Sequence, residues 1–193
     1  MKAVLDTNVL ISAVISTGIP HEIVMAGYTN EYQIIASVPT LMEFRKTLQK
    51  YPERFGLDDE EIQTEVETLR YFAEFVVPDE DITAVEADPD DDKLLEAAVA
   101  GNTDYIVSGD QHVLDLESFR GIDIVTPREF FEVINNRQLY RYILSVSTCV
   151  DRFGVYKIPI DRMLNGTAPE VTTCYPGTRD PNGPQYPRDR QAT

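Results

Sequence analysis

The sequence predicts an α/β fold with a mainly parallel sheet. Five short apolar runs alternate with segments that carry helical periodicity or helix-start residues. The runs are apolar without strict alternation, as expected for strands that are covered by helices on both faces. Strands that alternate with helices pair in parallel through right-handed crossovers. The predicted strands are residues 3–5, 34–36, 75–77, 104–107 and 122–125.

The first helices are predicted from the residues at their ends. Thr7 and Asn8 follow the first strand and offer N-cap chemistry, and Gly18 ends the helix that they begin. Pro20 and Pro39 suit the first helical turn, where proline is favoured, so each is predicted to open a helix.

The later helices are predicted from periodicity and from acidic starts. Residues 58–73 carry apolar side chains at helical spacing. The acidic run 88–92 leads into an apolar helix, since negative side chains are favoured at a helix N-terminus. Thr126 and Pro127 begin the final helix of the sandwich, residues 128–134.

The charge of the chain is unusual in its size and its placement. The 193 residues carry a formal net charge of −16. Residues 1–134 hold 28 acidic and 9 basic side chains, whereas residues 135–193 hold 5 and 8. An acidic, halophile-like surface of this kind repels phosphate backbones at low salt. A role on nucleic acid therefore needs bridging metal ions, high ambient salt or a basic partner.

The cellular compartment is predicted from the lack of a signal peptide, of a membrane-spanning stretch and of a disulfide pattern in the sequence. Met1 and Lys2 run directly into the first apolar run, without the apolar region of a signal peptide. No stretch approaches the roughly 18 apolar residues that cross a membrane. Cys149 and Cys174 have neither zinc-site spacing nor the pattern of a disulfide framework, so a reducing compartment fits. We therefore expect a cytoplasmic protein with no membrane partner.

Acidic residues lie near the carboxyl ends of several predicted strands. Asp6 ends the first strand, Asp110 follows the fourth within three residues, and Glu43 lies in or near the first turn of the helix after the second. Together with the run 88–92, these acids can share one edge of a parallel sheet. Clustered carboxylates need a compensating cation. Oxygen ligands without nearby His or Cys favour Mg²⁺ or Mn²⁺ over zinc.

Each of these acids also has a purely structural interpretation. Asp6 offers an Asx-type cap, Glu43 an acid that favours the helix dipole, and Asp110 a turn residue. The run 88–92 supplies at least one helix cap. A carboxylate-bound Mg²⁺ keeps waters that can act as nucleophiles, so phosphodiester hydrolysis is the reaction that suits such a pocket best.

Four motifs occur in an order and spacing that are specific. They are residues 4–13 (VLDTNVLISA), Thr40-x-x-Glu43-Phe44, residues 88–98 (DPDDDKLLEAA) and residues 105–110 (YIVSGD). With residues 124–130 (IVTPREF), they resemble the PIN domain family, in the branch that contains toxins of VapC-type toxin–antitoxin pairs. The resemblance covers residues 1–134.

The resemblance implies a three-layer α/β/α sandwich with a central five-stranded sheet, and a ribonuclease that depends on one or two Mg²⁺ or Mn²⁺ ions. Asp91 aligns best with the third acid of the family, and Asp92, where relatives often have Asn, is implied as a supporting ligand. Thr7, Asn8 and Ser108 match polar positions that orient the acids or metal waters. The implied catalytic and metal-binding acids are Asp6, Glu43, Asp91 and Asp110.

The resemblance also implies partners: an RNA substrate, a cognate antitoxin and a second copy of the chain. Few basic residues flank the pocket, and Arg45, Lys46 and Lys93 are the candidates for phosphate contacts. The spacing of Lys46 and Lys50 at i, i+4 is equally compatible with a solvated helix face.

Two other functions require residues that this chain lacks. A haloacid-dehalogenase-type phosphatase needs a second Asp where this chain has Asn8, and a receiver domain needs a lysine that residues 126–128 do not supply. A catalytically silent PIN module that binds a protein stays open, as does an RNA maturation or decay nuclease that is not a toxin. Residues 135–193 are predicted to be a Pro/Gly-rich extension, in which the apolar content allows a helix to continue up to about residue 160 and the rest is irregular. This extension either docks on the body of the protein or on a partner, or is run-on sequence without selected structure.

Overall fold

The computed structural model describes residues 1–50, 55–85 and 89–153, with side chains described up to residue 141. The chain divides into two compact units, Met1–Val146 and Ser147–Thr193. The fold and the site below belong to the first unit; of the second, residues 147–153 are described, as helix. The predicted division at residue 134 stays a prediction, and the irregular segment expected beyond residue 160 lies outside the described residues.

Within the described residues, the chain forms six strands and seven α-helices. The strands are β1 (Lys2–Leu5), β2 (Gln33–Ser37), β3 (Glu74–Val76), β4 (Tyr105–Val107), β5 (Ser118–Phe119) and β6 (Ile122–Val125). The helices are α1 (Thr7–Ile15), α2 (Ile19–Tyr28), α3 (Val38–Lys50), α4 (Asp59–Phe72), α5 (Asp92–Ala100), α6 (Gln111–Leu114) and α7 (Pro127–Phe153). A 3₁₀ turn, Pro89–Asp91, leads into α5.

The sheet has the order β3-β2-β1-β4-β6-β5, and β1 lies near its centre. All neighbours pair in parallel except β5 and β6, which are antiparallel. The α/β class and the mainly parallel sheet are confirmed, but the prediction of five strands is wrong. The sixth, β5, has two residues and is joined to β6 by a turn at Arg120 and Gly121, both with positive φ. A strand of two residues carries no readable periodicity.

Helices cover both faces of the sheet. Ala3 and Leu5 of β1 pack in a core with residues of α1, α2, α3, α4 and α7. Val4, between them, packs in a second core with residues of α5 and α6. The three layers confirm the predicted sandwich. Burial on both faces explains why the apolar runs do not alternate with polar residues.

Two helix ends differ from their predictions. The N-cap of α1 is Asp6, whose Oδ1 accepts the Asn8 N–H at 2.9 Å. Thr7 is the first helical residue, so the N-cap predicted from Thr7 and Asn8 was placed too late. The final helix α7 extends beyond the bounds of residues 128–134 given to the last helix of the sandwich, and it continues to Phe153 within the part up to residue 160 where the apolar content allowed a helix.

No single helix in the described ranges combines the length and the apolarity needed to cross a membrane. The paired helices α1 and α2 meet those criteria together, by length and composition, with a bend of 101° between them.

Candidate functional site

The site begins where β1 and β4 end. Leu5 pairs with Val107 in the parallel register, so Asp6 and Ser108 come next to each other at the carboxyl edge of the sheet. The Asp6 N–H donates to the Val107 carbonyl oxygen at 2.9 Å. The Ser108 hydroxyl donates to Asp6 Oδ2 at 2.5 Å, and both side chains are buried. The parallel pairing therefore fixes the position of the Asp6 carboxylate.

Ser108 also connects Asp6 to Asp110. The Asp110 N–H donates to Ser108 Oγ at 3.0 Å, so this hydroxyl contacts both segments. Asp110 Oδ1 accepts the His112 N–H at 2.8 Å and caps α6. Asp110, for which the sequence also allowed a role as a turn residue, is thus the N-cap of α6, and its place beside Asp6 keeps it in the candidate site.

Glu43 is positioned by the turn from β2 into α3. Ser37 ends β2, and α3 begins at the next residue. The Thr40 Oγ1 accepts the Ser37 N–H at 2.9 Å and donates to the Ser37 carbonyl oxygen at 2.9 Å. This buried turn sets the direction of α3, and Glu43 follows as its sixth residue, just beyond the first turn.

Two donors contact one oxygen of Glu43. The Thr7 hydroxyl donates to Glu43 Oε2 at 2.7 Å, and Lys93 Nζ lies 3.0 Å from the same oxygen. Thr7 is buried, whereas the Glu43 side chain is 37% exposed and that of Lys93 is 19% exposed. The Thr7 hydroxyl thus holds one oxygen of Glu43 in place. The ion pair with Lys93 was not foreseen, because nothing in a single sequence relates positions 43 and 93.

The pKa of Asp6 depends on its burial, its hydrogen bonds and the charges around it. Burial raises its pKa above the ordinary range, and the hydrogen bonds from Ser108 and from the Asn8 N–H partly oppose this. The negative charges of Glu43 and Asp110 raise the pKa further. Three of the four predicted acids therefore lie close enough to interact electrostatically.

The neighbouring acids Asp91 and Asp92 have different environments. Asp91, the predicted third acid, is half-buried and takes the N-cap position of α5 without a side-chain capping hydrogen bond. Asp92 is buried, and its Oδ1 accepts the N–H groups of Ala84 at 3.0 Å and Val85 at 2.9 Å. Asp92 therefore holds the loop that precedes α5. The supporting metal role implied for it stays a prediction.

Comparison with known proteins identifies the family. The family model described as PIN domain matches residues 2–112, more than half of the chain. The chain belongs to the PIN domain family. PIN domains are generally nucleases. One solved structure similar to this PIN domain is that of VapBC2 from Rickettsia felis bound to a DNA fragment from its promoter. It is 14% identical, with a TM-score of 0.47, over 65% of this chain and 98% of that chain. No curated protein matches the sequence significantly.

The acids of this PIN domain fit a hard divalent cation by their chemistry. All five predicted ligands, Asp92 included, are carboxylates, the donors that Mg²⁺ and Mn²⁺ prefer. Among the described residues, however, no three His, Cys, Asp or Glu side chains are arranged to hold a metal ion. The cation that contacts Glu43 is instead the Lys93 ammonium.

A basic cleft adjoins Glu43. The cleft is open, has a volume of about 540 Å³ and contains the three cations that the sequence singled out for phosphate contacts. They are one third of the nine basic residues in positions 1–134. The lining residues are Met42, Glu43, Arg45, Lys46, Gln49, Asp90 and Lys93.

Proposed function

We propose that this PIN domain is a metal-dependent endoribonuclease that hydrolyses RNA phosphodiester bonds, and that it is the toxin of a toxin–antitoxin pair. One observation carries the nuclease part: the buried Asp6 carboxylate interacts electrostatically with Glu43 and Asp110 at the carboxyl edge of the sheet. Because clustered carboxylates are stabilised by a cation, this arrangement supports a divalent metal as cofactor.

Asp6, Glu43, Asp91 and Asp110 are the residues that would hold the metal. The bound ion would neutralise the carboxylates and act as a Lewis acid on the phosphodiester. Ser108 and Thr7 keep Asp6 and Glu43 in place through their hydroxyl groups. We assign to Asn8 the orientation of Asp6, through the hydrogen bond that its N–H donates.

The basic cleft supports RNA as the substrate. A chain with a net charge of −16 repels a polyanion, so local cations are needed where the phosphates bind. Arg45, Lys46 and Lys93 provide such cations directly beside Glu43. We place the phosphate next to the scissile bond in this cleft, with cleavage leaving a 5′-phosphate.

The toxin role, the antitoxin and the homodimer are proposed from the sequence resemblance to VapC-type toxins. We propose a cytoplasmic location on the same basis. An antitoxin that inserts an Arg or Lys among the acids would neutralise the same charges that the metal neutralises.

A cleavage assay tests the nuclease. The full chain is incubated with a fluorescent single-stranded RNA in Mn²⁺, in Mg²⁺ and in EDTA. We expect cleavage in the metals, none in EDTA, and a loss of at least about 100-fold for Glu43→Gln. Glu60→Gln, the same change at an exposed position near the start of α4, is the matched control and should retain full activity. Cleavage that survives Glu43→Gln would contradict the proposal.

A catalytically silent PIN module is the second candidate. It is favoured by the ion pair between Lys93 and Glu43 and by the lack of a three-ligand group among the described residues. For such a module, the same assay gives no metal-stimulated cleavage by the unchanged chain.

A further inference from the structure

Lys93 is held in an unusual environment for a lysine. Its side chain is 19% exposed, and its Nζ lies 3.0 Å from Glu43 Oε2. The same oxygen accepts the Thr7 hydroxyl at 2.7 Å. Lysine is almost never fully buried unless it is paired, so this partly buried ammonium depends on its partner. Lys93 is therefore the counter-ion of Glu43.

This ion pair competes with a divalent cation for one oxygen. Mg²⁺ requires its oxygen ligands at about 2.0–2.1 Å. Glu43 Oε2 already has an ammonium at 3.0 Å, and two cations at one carboxylate oxygen repel each other strongly. An ion that binds this oxygen must displace the ammonium.

The basic cleft gives the displaced ammonium a destination. Lys93 lines this cleft together with Arg45 and Lys46. The four-carbon stem of a lysine is flexible, so its ammonium can swing from Glu43 into the cleft while α5 stays in place. After this movement, three cations without the ion pair to Glu43 would face an anion in the cleft, against the one negative charge of Asp90, which also lines it.

We propose that Lys93 is a cation switch: a divalent metal displaces its ammonium from Glu43, and the released ammonium joins Arg45 and Lys46 in binding an RNA phosphate. The inference rests on the proposed function, because it takes the acids to bind metal and the cleft to bind RNA. Metal and RNA then bind cooperatively, and linkage requires each to raise the affinity of the other by the same factor.

Calorimetric titration of the full chain with Mn²⁺, without RNA, tests the competition. Lys93→Gln removes the charge and should bind Mn²⁺ about fivefold or more tightly than the unchanged chain. Lys46→Gln, the same change at another position in the cleft, should bind Mn²⁺ as the unchanged chain does. Lys93→Met is the second neutral variant, used if Lys93→Gln fails to fold by circular dichroism. Unchanged or weaker Mn²⁺ affinity in a folded neutral variant overturns the proposal.

Fluorescence anisotropy with a non-cleavable 2′-O-methyl oligonucleotide tests the release. Mn²⁺ should increase the RNA affinity of the unchanged chain and of Lys46→Gln by a larger factor than that of Lys93→Gln. A contact between the metal itself and the RNA contributes equally in all three proteins. The readout is therefore the difference between the factors by which Mn²⁺ increases their RNA affinities. An equal enhancement in Lys93→Gln and Lys46→Gln overturns the coupling.

The outcomes separate this inference from the proposed function. If the unchanged chain and the Lys93 variants all fail to bind Mn²⁺, both are wrong. If Mn²⁺ binding requires Glu43 but is indifferent to Lys93, only the switch is wrong. Mn²⁺ binding that occurs only in the neutral Lys93 variants supports the competition and assigns the unchanged chain to the silent class.

Discussion

Asp92→Ala tests the anchor of the loop before α5. The Asp92 side chain is 4% exposed, and its Oδ1 accepts two backbone N–H groups, from Ala84 and Val85. The substitution leaves both N–H groups without this acceptor. An unsatisfied buried donor costs about 1–3 kcal/mol. Because Val85 is buried and Ala84 is half-buried, we expect a loss of about 3 kcal/mol of unfolding free energy, within the range of about 2–6 kcal/mol for two donors.

Urea denaturation followed by circular dichroism measures this loss, and the melting temperature should fall by about 6–12 °C. Asp92→Asn keeps one carbonyl oxygen and should lose less. Asp81→Ala changes an exposed acid of the same loop and should stay within about 0.5 kcal/mol of the unchanged chain. A loss below about 1 kcal/mol for Asp92→Ala would refute the anchoring role.

The same variants separate anchoring from metal support. If Asp92 only holds the loop, the folded Asp92→Asn variant should bind Mn²⁺ with the affinity of the unchanged chain. A loss of about tenfold or more would instead support the ligand role that the sequence resemblance implied.

Two further predictions concern the Asp6 carboxylate. Burial raises its pKa in the folded chain, so its contribution to stability is present below the unfolded pKa and is lost as the pH rises through the folded pKa. Asp6→Asn should therefore raise the melting temperature at pH 7, and the gain should shrink towards pH 4; a gain that grows on acidification contradicts this. Ser108→Ala removes the largest contribution that lowers the pKa of Asp6, so the acid-side fall of metal-dependent cleavage should move to higher pH. An unmoved profile in the folded variant would contradict that assignment.

The mainly parallel sheet and the alternation of strands and helices along the chain could be predicted because each apolar run is visible in the local sequence. The boundaries of all five predicted strands agree with the structure to within about one residue, and Pro20 is the second residue of α2, as expected of a proline in a first turn. The exception was β5. Its two residues are defined by pairing with β6, a non-local property, and its neighbours Glu117 and Arg120 adopt positive φ without the glycine that usually signals it.

The acids of the candidate site differ in how directly the sequence indicates their positions. Asp6 and Asp110 follow directly from the rule that functional residues cluster at the carboxyl ends of parallel strands. The role of Asp92 in the loop was missed, although a signal existed. Asp92, Leu95 and Ala98 recur at a spacing of three, which places all three on the buried side of α5. From this spacing, Asp92 could have been expected to point into the protein with the apolar residues of that face.

The ion pair between Lys93 and Glu43 could not be read from the sequence because it joins two separate layers of the fold. Glu43 belongs to α3, whose Phe44 and Leu48 pack in one core. Lys93 belongs to α5, whose Leu94 and Leu95 pack in the other. The contact therefore joins a helix on one face of the sheet to a helix on the other. Under the proposed switch, an ion that displaces the Lys93 ammonium would therefore remove an ion pair between the two layers while the backbone of α5 stays in place.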